Sequence, residues 1–158
     1  MKQEIFLWLT VVFFNFYFAG HLFDLLANVP NWKSGDIADV SKYRDFYGKA
    51  SPKNYFLPFV VGTPVISLLS LILVWNSGND VRIFLLISTL LSLLIFVAAV
   101  KYFVPINEYI LTSKKYDEVK LKKLVSGWVK IDYIRLALLG IGLLTSILAL
   151  RSFLNNKG

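Results

Sequence analysis

Along the chain, apolar residues collect in four long stretches separated by polar segments of very unequal length. The first runs from about Ile5 to Ala27 and is stopped by Val29-Pro30-Asn31. The second runs from about Tyr55 to Trp75, with Pro58 and Pro64 expected to bend it, the third from about Val81 to Val104, ended by Pro105, and the fourth from about Trp128 to Leu150. Each can cross a hydrocarbon core about 30 Å thick, which takes roughly 20 helical residues. The pattern predicts an all-α integral membrane four-helix bundle, with residues 1–158 forming a single membrane domain.

The connections carry their own signals. Asn76-Ser77-Gly78-Asn79-Asp80 reads as a tight turn that makes the second and third helices antiparallel neighbours. The segment after the first stretch, to about Asn54, is polar and reads as a loop. The segment from Ile106 to Ser126 interleaves Lys114, Lys115, Lys120, Lys122 and Lys123 with Tyr109, Ile110, Tyr116, Val119 and Leu121, which predicts an interfacial amphipathic helix lying on the membrane surface.

Composition narrows the chemistry. The chain is 56% hydrophobic and has a net charge of +7. Its basic residues lie between the apolar stretches and form no separate basic domain, so lipid headgroups are the expected counterpart and nucleic acid is not. The long segments carry Lys33, Lys42, Arg44, Lys49 and Lys53 and then the five lysines above, against Lys2, Arg82, Arg151 and Lys157 on the other face. The positive-inside rule then puts the long segments in the cytoplasm and both termini outside. Tyr17-Phe18 before Ala19 is a poor signal-cleavage site, so the first stretch is read as a membrane helix. The absence of cysteine excludes thiol relays and thiolate metal sites, and the single histidine, His21, excludes two-histidine haem ligation within one chain. No cofactor or metal is expected.

Ionisable side chains at membrane depth each cost at least about 2.5 kcal/mol near a helix centre. In the fourth stretch Trp128, Asp132 and Arg135 are spaced four and three apart and share one helix face; in the first, Tyr17, His21, Asp24 and Asn28 form a second polar stripe. Both stripes should face inward, with an ion pair between Asp24 and Arg135. Because alternate helices run in opposite directions, these residues and Asn107 and Glu108 gather at the long-segment end, where they outline a polar pocket. His21, Asp24, Asp132 and Arg135 are the candidate catalytic residues, and Tyr17, Asn107, Glu108 and Trp128 the candidate substrate-binding ones.

Plainer readings stand beside these. Arg135 with Asp132 or Asp24 can be a structural ion pair that fixes helix packing. His21 can be a satisfied interfacial histidine, a proton-transfer group, or a metal ligand with Asp24 and Glu108; Glu108 can sit in headgroup water; the phenylalanines of the first stretch suit lipid contact; Gly140 and Gly142 suit close helix packing.

Val104-Pro105-Ile106-Asn107, followed by Trp128, a polar residue at Asp132 and Arg135, resembles the anthrone oxygenase-like family of small four-helix membrane proteins over about Val104 to Leu144. The resemblance implies a four-helix bundle and, for the members with an activity, cofactor-independent oxidation of anthrones to anthraquinones. Asn107, Trp128 and Arg135 match the family pattern, whereas Asp132 stands where the family often has histidine or asparagine. An oxygenase-like enzyme acting on a hydrophobic aromatic small molecule is the leading expectation; a non-catalytic membrane partner or assembly subunit, as an oligomer or with another membrane chain, and a small-ligand binding or transport protein are the alternatives.

Overall fold

The computed structural model describes residues 1–48, 52–113 and 115–156. Lys49, Lys114 and Lys157, counted above among the basic residues, lie outside them. The chain forms α1 (Lys2–Phe23), α2 (Ile37–Phe46), α3 (Lys53–Leu73), α4 (Asn79–Ala98), α5 (Val104–Thr112) and α6 (Glu118–Asn155). Four helical runs, Lys2–Asn31, Lys53–Leu73, Asn79–Thr112 and Glu118–Asn155, are long and apolar enough to span a membrane. The protein is a multi-pass integral membrane protein and an all-α four-helix bundle. Leu90, Leu94, Val65 and Ile134 stand exposed along the helices, a belt that suits lipid and would not suit water.

The four runs form a closed ring: α1 packs against α3 and α6, and α4 packs against the same two, so α1 and α4 face each other across the bundle. The inward stripe is legible residue by residue. On α6 the buried positions Leu121, Val125, Trp128, Asp132, Arg135, Leu139, Gly142, Ser146, Ala149 and Phe153 recur at steps of three and four. Leu7, Thr10, Phe14, Tyr17 and His21 do the same on α1. That is the spacing at which antiparallel helices meet along a seam.

Rings and hydroxyls hold the seam. A Cβ at Gly142 would collide with the buried Phe14 ring, and one at Gly140 would touch Phe18 at 3.4 Å, so these glycines make room for aromatics of α1. Thr10 and Ser70 share a hydrogen bond of 2.8 Å between α1 and α3, and Ser67 and Ser92 one of 3.1 Å between α3 and α4. Interhelical hydroxyl bonds of this kind contribute roughly 0.6 kcal/mol each in a bilayer. At the end that holds the termini, Gln3 donates to the Leu73 carbonyl at 2.8 Å and Asn156 to that of Ser77 at 3.1 Å, which latches both chain ends onto the α3–α4 turn. Gly78 provides the positive φ of 118° that this turn needs.

One boundary differs from the sequence expectation: Pro105 does not end the third helical run, which continues to Thr112, whereas the first run does stop at Val29-Pro30-Asn31. In each, the chain widens into a π turn, Asp24–Asn28 and Ala99–Phe103, whose last bond runs from the residue before proline: Val29 N–H to Asp24 O, and Val104 N–H to Ala99 O. Proline then enters the first turn of a new helical segment, where its missing N–H would have had no partner. Pro58 and Pro64 likewise stay inside a continuous α3.

The segment from Ile106 to Ser126 divides between α5 and the opening of α6. Asp117 caps α6 by accepting from the Lys120 N–H at 3.0 Å. Its apolar face does not lie on lipid: Ile106, Ile110, Leu121 and Val125 pack with Leu25, Trp32 and Val40, the last from α2. The polar loop thus contains a helix that the periodicity had not announced.

Gly142→Val is expected to destabilise the bundle by about 1–3 kcal/mol through overpacking against Phe14. Thermal unfolding in detergent, followed by circular dichroism, reads this, and Ser67→Ala should lower stability by much less.

Candidate functional site

At the end opposite the termini, α6 carries Asp132 and Arg135 one turn apart, and the Arg135 guanidinium donates to Asp132 Oδ1. The expected Asp24–Arg135 ion pair is not the one that forms. The (i, i+3) geometry of a single helix brings Asp132 to Arg135 without any helix having to move, while Asp24, at the start of the π turn, accepts from Asn28 Nδ2 at 2.7 Å and stays within electrostatic reach of Arg135.

The guanidinium lies over Phe103, with Cζ 3.7 Å from the ring centroid, and 5.8 Å from that of Trp128. Cation–π contact of this kind is worth about 2 kcal/mol when desolvated. Trp128 is fixed in turn: its Nε1 donates to Asn107 Oδ1 at 2.8 Å, and its ring meets Phe103 and Trp32 edge-on at 5.5 and 4.9 Å. Asn107 therefore orients Trp128.

From the facing helix, His21 Nδ1 comes to 3.6 Å from Asp132 Oδ1. The imidazole stacks on Phe56 at 4.4 Å and is flanked by Tyr17 at 5.0 Å. Tyr17, His21, Asp24, Trp128, Asp132 and Arg135 are all buried. Five of their polar atoms, Tyr17 Oη, both His21 ring nitrogens, Asp132 Oδ2 and Arg135 Nε, have no hydrogen-bond partner. Buried polar atoms are paired in the great majority of cases, so this concentration marks the cluster out.

Of the sequence-predicted residues, the structure brings Tyr17, His21, Asp132, Arg135 and Trp128 together, with Asp24 and Asn107 at the margin. Glu108 stands exposed on α5. His21, Asp24 and Glu108 do not converge as metal ligands, and no set of three or more such side chains does among the described residues. Phe103 and Phe56 were missed. Phe103 follows Ala99 at four residues on the inner face of the third run, the one signal that could have found it.

Beside the cluster, a cleft of about 520 Å³ opens between α1 and α3, lined by Gly20, Asp24, Asn28, Tyr47, Tyr55 and Phe56. Phe56 separates it from His21. A cap closes the end of the bundle: the Trp32 and Tyr43 rings meet at a tilt of 36° and 5.0 Å, Arg44 donates to the Ser113 carbonyl at 3.2 Å, and Lys122 pairs with Asp36 at 3.2 Å. Gly35, with φ of 71°, passes so close to the Lys122 backbone that a Cβ would come within 2.9 Å.

Burial holds the Tyr43 phenol above the usual tyrosine range, reinforced by the negative fields of Asp24 and Tyr47. A folded-state value raised in this way contributes stability at neutral pH that is lost as pH climbs past about 10, the ordinary tyrosine value. Alkaline titration should release the cap with the appearance of tyrosinate absorbance, and Tyr43→Phe should remove that step.

Arg135→Ala should cost about 3–5 kcal/mol, because it strands Asp132 in an apolar interior, and Asp132→Leu combined with Arg135→Leu should recover most of the loss. Chemical denaturation of the two purified variants in micelles compares them. No protein-family model, curated protein or solved structure matches the chain.

Proposed function

We propose that the His21–Asp132–Arg135 cluster is an acid–base site for a hydrophobic, weakly acidic small molecule that reaches it from the α1–α3 cleft. The observation that carries this reading is the set of unpartnered buried polar atoms around a charge pair below the headgroups. A structural ion pair gains most when its remaining lone pairs and protons are satisfied. Here the imidazole, a carboxylate oxygen and a guanidinium N–H all retain capacity on one side of the bundle.

The roles follow from what each group already does. Asp132 is engaged by Arg135, which leaves His21, whose Nδ1 lies 3.6 Å from Asp132 Oδ1, as the group able to take a proton. Arg135 keeps Nε for an oxyanion, and its contact with Phe103 holds the guanidinium in place. Phe56 and Tyr17 supply flat apolar walls on either side of the histidine.

The resemblance to anthrone oxygenase-like proteins offers a substrate class for this arrangement. Removal of a proton from the anthrone methylene by His21 gives a carbanion whose charge is shared with the oxygen facing Arg135. The anion passes electrons to dioxygen, the C–O bond that forms yields a hydroperoxide, and loss of water leaves the quinone. Dioxygen is the oxidant and no cofactor is called for. With the long segments on the cytoplasmic side, as the distribution of lysine and arginine supports, the site opens towards the cytoplasmic leaflet.

Protein in nanodiscs should accelerate oxygen uptake by an anthrone, and His21→Gln should lower the rate by roughly 100-fold or more, the scale of general-base catalysis, while unfolding at the same temperature. A wild-type rate in a normally folded Arg135→Ala protein would sink the reading. A stoichiometric partner chain seated against α1 and α3 in protein extracted from its own membrane would assign the cluster to an interface.

A further inference from the structure

The same end of the bundle has a second concavity, a groove of about 630 Å³ between the α4–α5 junction and the first turns of α6. Tyr102 forms one wall, Lys120, Lys123 and Lys130 the other, and Gly127 lies between them. Steps of three, four and three residues return to one helix face, so the three lysines and Gly127 make a single stripe on α6. Glycine is what makes the stripe concave: a Cβ at this position would stand 2.8 Å from the Tyr102 hydroxyl.

The groove is cationic, and three acidic residues of this end of the bundle are committed elsewhere. Asp36 and Glu118 both engage Lys122, at 3.2 and 2.8 Å, on a different face of α6, and Asp45 engages Arg44 at 3.0 Å. Among the described residues Lys123 and Lys130 form no ion pair, the Tyr102 hydroxyl has no hydrogen-bond partner, and the Lys120 ammonium rests over the Tyr109 ring at 4.6 Å. Three like charges around one hollow call for an anion.

Depth identifies which anion. The 38 residues of α6 extend about 57 Å at 1.5 Å per residue, nearly twice the hydrocarbon thickness of about 30 Å. The run from Ile131 to Leu150 fills that thickness, which leaves Lys120 to Lys130 in the layer where lipid phosphates lie. Below the groove the same face continues through Ile134 and Ile141, both exposed, as a track for acyl chains. Lysine stems run along such apolar surface while their ammonium groups stay at the polar boundary.

We infer that this groove binds one anionic phospholipid, its phosphate held by Lys123 and Lys130 with the Tyr102 hydroxyl as a further donor, and its chains laid along α6. The inference is independent of the acid–base reading, since no residue is shared. Native mass spectrometry of the full chain in micelles titrated with phosphatidylglycerol or phosphatidylcholine tests it. One phosphatidylglycerol per chain should be retained in preference to phosphatidylcholine, and the double variant Lys123→Gln/Lys130→Gln should weaken retention roughly 30-fold, about fivefold per lysine. Gly127→Leu, which fills the hollow and leaves every charge in place, should abolish the preference. Lys33→Gln/Lys115→Gln removes the same charge elsewhere and should leave retention unchanged. Equal loss in that control pair would show a diffuse surface attraction and overturn the site, and saturation by inorganic phosphate without lipid would assign it to a soluble anion. If Gly127→Leu does not fold by circular dichroism, the two lysine pairs still decide.

Discussion

A guanidinium and a carboxylate taken below the headgroups lose several kcal/mol of hydration apiece, and only close pairing with good additional contacts makes the burial tolerable. Asp132 and Arg135 meet the first demand on one face of α6 while leaving Asp132 Oδ2 and Arg135 Nε without partners, and much of the basic end of the bundle follows from the pair. The pair must point inward, which fixes the rotation of α6 about its axis. The helix facing it must then offer something other than aliphatic surface, and α1 does so with Tyr17 and His21. Phe103, the last residue of the π turn ahead of Pro105, covers the guanidinium from the third run.

Away from the charges the bundle is held by different means. Between apolar helices in lipid there is no hydrophobic drive to associate, and close packing with a few hydroxyl bonds has to suffice. Phe14 seated against Gly142 and the Thr10–Ser70 and Ser67–Ser92 bonds meet that requirement, and the latches of Gln3 and Asn156 close the far end. The bundle therefore has a charged, aromatic half and a small-residue, hydroxyl half. The aromatic half holds the cluster with unpartnered polar atoms.

The four crossings and both polar stripes were legible in the sequence because bilayer thickness sets a length and helix geometry sets a period, and neither depends on tertiary detail. Trp128, Asp132 and Arg135, and Tyr17 with His21, could be placed on inward faces for that reason. The partner of Arg135 could not. Spacing shows that Asp132 is near, but the choice between it and Asp24 depends on the side-chain directions that the π turn at Asp24 resets. Proline was read by its usual effect, and the wider turn that lets the third run continue past Pro105 has no periodic signature. The helix Ile37–Phe46 escaped notice because its apolar residues are few and become buried only against Ile106, Ile110 and Leu121, far along the chain.

The two π turns sit on diagonally opposed members of the ring, each just ahead of a Val-Pro pair. A π turn carries one residue more than an α turn over a similar rise. At these two places the chain takes up an extra residue within one turn, so the segment beyond keeps nearly the phase it would have without that residue. Loss of one residue from Leu25–Ala27 or Val100–Tyr102 would return the turn to α geometry with both flanking segments still in phase, shifting only the side chains of the turn itself. The wall of the charged chamber can thereby gain or lose a residue at Asp24–Asn28 or Ala99–Phe103 without turning the face of any membrane crossing.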